Sequence, residues 1–428
     1  MLKRILLGVS MLPAFHLSAQ DTISAKPKER LDFARTYFEA GAVGAPSFSG
    51  KRIGDNQVIS FKQPAAINQY LTWGAFHFWG RAEFYVTFPL DQLNLKKNED
   101  TDFRLDHSVV TGARYYPWAV KQKKIAPYLG ISWAAMDFRQ IIKPDENQPT
   151  LSKDFLLKYE AGVLYSHRNF GLRLGVHYYS DARWDYPLSK TVKSVIKTPP
   201  VNLSLGLLYA FDLSRDNKKE TIDRWNDYPT TSKLSYKAER SGAFFVGIGP
   251  SMSFSLADSE YNRKELPYLK KRLVSNNCLD AALGYHFHKA NLFTAFSFRN
   301  PKFVTEGYGD RQTIRKHSLA FEVNRFLTDY TGFAPFVGLN VAYEKIKYSQ
   351  LADGRQKSVD YSSRLEPGFT LGWDIVPGKT EEALILRTNL RWYPFSKFRI
   401  EGQKFDFSQL EYNLIQVVFY PERLKKKR

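Results

Sequence analysis

The 428-residue chain holds a single cysteine, Cys278. One thiol excludes any internal disulfide, and its place far from the N-terminus excludes a lipidated N-terminal Cys. Long hydrophobic runs are also missing. Beyond the first residues, no stretch reaches the roughly 18 consecutive apolar positions that a membrane-spanning helix needs. Apolar spacing at 3.6 residues is scarce, so an α-helical core is not expected. Nothing in the sequence gathers a nucleophile with its base or a metal shell, and the chain is read as a non-enzyme without cofactor or metal. His286 and His288 share one face of an extended segment and are read as a turn-proximal interfacial pair rather than a metal site. His107-Ser108 and His317-Ser318 cannot each form a dyad, because neighbouring strand residues point to opposite faces. Basic residues are spread over loops without a basic helix or aromatic platform, which argues against nucleic acid.

The one apolar run, Ile5 to Phe15, follows Lys3 and Arg4 and precedes Leu17-Ser18-Ala19. That order predicts a secretory signal peptide over residues 1–19 and an exported chain starting at Gln20.

What is abundant is aromatic residues, at 15%, and alternation. In GLRLGVHYY, Leu172, Leu174, Val176 and Tyr178 fall on one side of an extended chain, with Arg173, Gly175 and His177 on the other. In ALILRTNLRWY, Leu384, Leu386, Leu390 and Trp392 oppose Arg387, Asn389 and Arg391. The same criterion gives eight segments in the first half, near 38–49, 67–79, 81–91, 106–118, 125–141, 155–168, 170–180 and 201–213. Eight more follow, near 241–256, 278–288, 291–303, 316–327, 332–348, 360–376, 382–395 and 406–420. Each is long enough to cross a bilayer as a tilted strand. Short turns alternate with long polar connectors such as 50–66, 181–200 and 258–277. An even number of strands with short turns on one side and long loops on the other predicts an all-β fold, a transmembrane antiparallel β-barrel. In lipid every backbone polar group must be paired, and a closed sheet achieves this without helices.

The halves echo one another. APYLG from Ala126 returns as APFVG from Ala334, Glu160 and Gly162 match Glu366 and Gly368, Leu172-Arg173 matches Leu386-Arg387, and Asn202-Leu203 matches Asn413-Leu414. Phe48 with Phe254 and His107 with His317 complete a collinear set whose offset stays between 206 and 214. This predicts an eight-strand unit present twice, at 38–213 and 241–420. A short segment (20–37), a polar linker (214–240) and a basic tail (421–428) complete the chain. The ARYYP strand, the following APYLG strand, the EAG hairpin and the closing NLSLGLLY strand resemble the eight-stranded outer-membrane barrel domains common in Bacteroidota. The resemblance implies an outer-membrane location in a Gram-negative bacterium and a barrel fold. It implies no activity.

Two closures are open: a single barrel of about 16 strands, which is favoured, or two tandem eight-stranded barrels. The first would leave an aqueous channel and the second a filled interior. On the single-barrel reading the protein is a passive pore or transport component; the alternative is a non-conducting structural or interaction barrel, and an outer-membrane enzyme comes third. Water-facing charges form the candidate site. Lys158, Glu160, Arg173, Glu322, Glu344, Arg364, Glu366, Arg387 and Arg391 are expected to make a lumenal charge ladder. It would either stiffen the wall or, through excess Arg, select small anionic solutes. The net charge of +19 sits largely in loops and tail, including Lys51-Arg52, Arg263-Lys264, Lys270 to Arg272 and Arg423 to Arg428. These are expected to meet outer-membrane lipid and the phosphates of lipopolysaccharide. Protein partners are not specified.

Overall fold

The computed structural model describes residues 33–54, 57–77, 81–94, 103–107, 109–118, 120–140, 151–212, 242–269, 272–327, 333–375 and 383–424. The expected signal peptide, the expected linker and the end of the basic tail lie outside the described residues. In the first half the strands are β1 (Phe33–Ala45), β2 (Phe48–Gly54), β3 (Gln57–Gln63), β4 (Ala66–His77), β5 (Ala82–Asn94), β6 (Phe103–His107), β7 (Val110–Tyr115), β8 (Ile125–Gln140), β9 (Leu151–His167), β10 (Phe170–Tyr179), β11 (Arg183–Pro187), β12 (Lys193–Lys197) and β13 (Val201–Asp212). In the second half they are β14 (Gly242–Ser255), β15 (Cys278–Phe287), β16 (Leu292–Arg299), β17 (Lys302–Gly307), β18 (Asp310–Phe326), β19 (Phe333–Ala352), β20 (Arg355–Ile375), β21 (Leu384–Tyr393), β22 (Lys397–Ile400), β23 (Gln403–Asp406) and β24 (Gln409–Phe419). A short helix, α1 (Glu260–Glu265), sits between β14 and β15, capped by the Ser259 side chain on the Asn262 amide.

The decisive pairing is that of the eighth ring strand. β13 pairs antiparallel with β1, from Arg35 opposite Asp212 to Gly44 opposite Leu203. The first ring therefore runs β1, β4, β5, β7, β8, β9, β10, β13 and back to β1, with β6 continuing β7 along β8. The second half repeats this, because β24 pairs with both β21 and β14. Its ring is β14, β15, β16, β18, β19, β20, β21, β24. Of the two closures the tandem one is formed, and the favoured single barrel of about 16 strands is corrected. The reason is geometric. In an antiparallel meander of eight strands the last runs opposite to the first, so each half can satisfy its own edges, and closing at eight gives a cylinder that its large interior side chains fill.

Burial alternates with the opposite sense to a soluble protein. Along β10, Leu172, Leu174, Val176 and Tyr178 are exposed, while Arg173, His177 and Tyr179 are buried inside. The outward side chains make an apolar wall and the charged ones line the interior, the arrangement of a transmembrane barrel. An eight-stranded cylinder is just wide enough for side chains to fill it. Large rings do this by lying flat against the wall where a side chain is missing. A Cβ on Gly74 would collide with the Tyr37 ring.

The long-loop side is built rather than irregular. β2 and β3 form one hairpin, β11 and β12 another, and β22 and β23 a third. β19 and β20 run 20 and 21 residues, well past the 9 to 11 that cross a bilayer. They turn at Asp353-Gly354, whose φ values of 46° and 77° are those of a type I′ hairpin. The two barrels touch along their outer walls through Trp133, which lies 5.3 Å from Tyr412 and 6.3 Å from Trp373 between ring centroids. On the long-loop side, Lys190 reaches Asp310 at 3.2 Å and the Tyr308 hydroxyl donates to the Pro187 carbonyl.

Because each ring closes without the other, residues 242–428 expressed alone with an export signal are expected to give a folded, heat-modifiable barrel on electrophoresis. A half that never folds alone, while the full chain does, would contradict the closure.

Candidate functional site

Both interiors carry chemistry, and each is organised around glutamates reached by several cations. In the first barrel Glu83, on β5, is the hub. Arg114 Nη1 lies 2.6 Å from it and Arg173 Nη1 2.8 Å, while the Tyr116 hydroxyl donates at 2.5 Å and Tyr37 donates as well. Arg114 also binds Glu160 through Nε at 2.7 Å and stacks on the Tyr85 ring at 3.8 Å. Glu160 further accepts from the Tyr85 hydroxyl and pairs with Lys158 at 2.7 Å. Glu39 accepts from the Tyr70 hydroxyl at 2.8 Å and pairs with Arg173 at 3.2 Å. Three carboxylates thus meet three cations, so the desolvation cost of each ion is offset by close partners of opposite sign.

The second barrel is layered. Nearest the short turns, Arg387 grips Asp374 with both arms at 2.6 and 2.8 Å, beneath Phe245, Phe293 and Phe336. At mid-height Arg391 bridges Asp280 and Glu322, each at 2.7 Å, and Arg299 binds Glu411 at 2.6 Å and the Tyr393 hydroxyl at 3.0 Å. Above that, Lys316 joins Glu344 at 2.7 Å to Glu411. Arg364 pairs with Glu366 and approaches Glu344 at 4.0 Å.

All nine predicted ladder residues are therefore interior, but they do not form one site. Lys158, Glu160 and Arg173 belong to the first barrel; Glu322, Glu344, Arg364, Glu366, Arg387 and Arg391 belong to the second. The excess Arg charge expected of the ladder is not left open at Arg387 and Arg391: Asp374 takes the first, and Asp280 and Glu322 the second. Glu39, Glu83, Arg114, Asp280, Arg299, Lys316 and Glu411 were missed. On β1 and β5 the interior also carries Tyr37 and Tyr85, which mask the alternation that would have revealed Glu39 and Glu83. Ser318 is buried while its neighbour His317 is exposed, so this dipeptide is split between faces as expected. The His286 and His288 rings stack edge to face at 4.7 Å, with Arg423 3.4 Å from His288. No group of three or more His, Cys, Asp or Glu suited to a metal occurs among the described residues.

Each barrel also carries an apolar cap on its long-loop side. Over the second, Tyr261 and Leu269 from the α1 region pack with Phe303, Ile346, Phe398 and Phe405. Over the first, Trp184, Tyr186 and Ile196 of the β11–β12 hairpin pack on Phe61, Met136 and Leu156. Burial raises the Tyr261 and Tyr268 phenols above their ordinary values, and the hydrogen bond from Tyr268 to Asp310 adds to the shift in Tyr268. Both phenols therefore remain neutral donors.

No protein-family model matches the sequence, and no curated protein matches it. Among solved structures the chain is similar to Neisserial surface protein A, at 10% identity and a TM-score of 0.31, covering 42% of this chain and 99% of that one. The attachment invasion locus protein of Yersinia pestis, solved with the heparin analogue sucrose octasulfate, matches at 10% identity and a TM-score of 0.26, with 42% and 99% covered. An outer-membrane channel from Pseudomonas putida F1 matches at 9% identity and a TM-score of 0.21, with 93% and 99% covered. Scores this low transfer no function.

Removing one partner from a buried network leaves an uncompensated charge, which costs about 3–5 kcal/mol. Glu83→Ala, which leaves Arg114 with Glu160 and Arg173 with Glu39 and one positive charge of the network uncompensated, is expected to lower stability by that amount in urea titrations of the folded protein. A change within about 0.5 kcal/mol would show that the hub is not formed.

Proposed function

We propose that the protein is a non-conducting structural or interaction barrel of the outer membrane, built from two copies of one eight-strand unit. The observation that carries this reading is the interior. Each eight-stranded ring is closed, packed by aromatic and ion-paired side chains, and covered by a folded cap. The pore reading depended on a shared 16-strand lumen, and two filled cylinders offer no such path. The outward apolar wall places the chain in a bilayer, and strands with long loops on one side fit the outer membrane of a Gram-negative bacterium. The caps, built from paired hairpins and a short helix over an apolar core, are the surfaces that would meet protein partners.

The test is electrical. Full-length protein, recovered from outer-membrane fractions and confirmed as folded by heat-modifiability, is expected to give no channel events in planar bilayers. Steady conductance from folded protein would overturn the reading, and anion preference in it would restore the pore.

A further inference from the structure

On the outer wall of the second barrel, strand register brings cations together. Lys302 on β17 stands directly opposite Arg315 on β18, and Arg315 directly opposite Lys347 on β19. The adjacent outward row sets His317 opposite Lys345. Arg315, His317, Lys345 and Lys347 are all exposed, and no acidic side chain pairs with any of them or with Lys302 among the described residues. The nearest outward ion pair, Arg311 with Glu306 at 3.6 Å, lies two rows further from the membrane. Directly opposed like charges destabilise a sheet unless a counter-charge joins them.

What lies on the other side of this cluster identifies the counter-charge. One row toward the short turns β18 and β19 carry Leu319 and Tyr343, flanked by Phe298 on β16 and Leu365 on β20, exposed by 52%, 43%, 46% and 68% respectively. Phe321, Val323, Val341 and Leu339 continue this apolar wall. The change from apolar to basic is therefore abrupt and falls at the long-loop edge of the wall, where the headgroups of the facing leaflet would be. Tyr343 and Tyr361 hold the Lys345 and Lys347 ammonium groups 5.9 and 5.4 Å from their rings, keeping both lysines on the wall.

We propose that this face, centred on Lys302, Arg315 and Lys347, binds the phosphate groups of a phosphorylated lipid of the outer leaflet, whose acyl chains lie along Leu319, Phe321 and Tyr343. The proposal rests on the outer-membrane placement above but not on the absence of conductance. It differs from contacts made by loops, because rigid strands fix the three cations in a row.

The test uses full-length protein in non-ionic detergent, with lipopolysaccharide, its enzymatically dephosphorylated form and inorganic phosphate as probes, read by thermal unfolding and by affinity. The phosphorylated lipid is expected to stabilise the protein, less so at high salt. Dephosphorylated lipid and inorganic phosphate at equal concentration are expected to do little. Arg315→Gln with Lys347→Gln should weaken lipopolysaccharide binding about thirtyfold, since each surface cation contributes a factor of about five. The same double variant, relieved of its opposed charges, should be no less stable than the parent when lipid is absent. Lys404→Gln, on the cap, serves as the control and should bind as the parent does. Unchanged affinity in the double variant, or equal binding of the dephosphorylated lipid, would overturn the proposal. Equal binding of inorganic phosphate would assign the face to a free anion and overturn it too. Bilayer recordings of the same variant report separately on the non-conducting reading.

Discussion

The pairing of β13 with β1, and of β24 with β14, is the constraint on which everything else depends. Closure satisfies every edge within eight strands, and the cylinder that results is too narrow to stay empty. Its contents must then be large, flat and electrically balanced. Tyrosines over missing side chains provide the bulk, and arginines clamped between carboxylates provide the balance. Glu83 in the first barrel and Glu322 in the second each receive two arginines, so the charges that look like a selectivity filter in sequence are spent on one another.

The same constraint explains where function can lie. A filled interior moves the useful surface to the two ends and the outer wall. On the long-loop side, hairpins and a short helix build apolar caps, and Lys190 and Tyr308 tie the cap of one barrel to that of the other. Along the wall, Trp133 sits between Trp373 and Tyr412 where it would otherwise meet lipid, so the barrels stand as neighbours.

Much of this was legible in the sequence. All sixteen ring strands overlap the alternating segments, because lipid-facing Leu and Val next to water-seeking Arg leave a clear period of two, as in β10 and β21. Closure was not legible, since antiparallel edges match equally well with β1 or β14 and only the filled volume decides. Glu39 and Glu83 hid beside Tyr37 and Tyr85, since tyrosine is apolar enough for a membrane wall and polar enough for an interior network. The cap hairpin inside 181–200 was read as a polar loop because its strands are short: Arg183–Pro187 and Lys193–Lys197 hold five residues each, too few for a periodic signal.

Strand closure can be measured directly by a disulfide across the seam. Ala40 and Leu207 stand opposite each other on the lipid-facing side of β1 and β13. In a Cys278→Ser background, Ala40→Cys with Leu207→Cys is expected to form an intramolecular disulfide in the folded protein under mild oxidation. Failure of that bond, together with ready formation of one between Leu207→Cys and Val246→Cys on β14, would show that the eighth strand joins the ninth and that the two halves share one barrel.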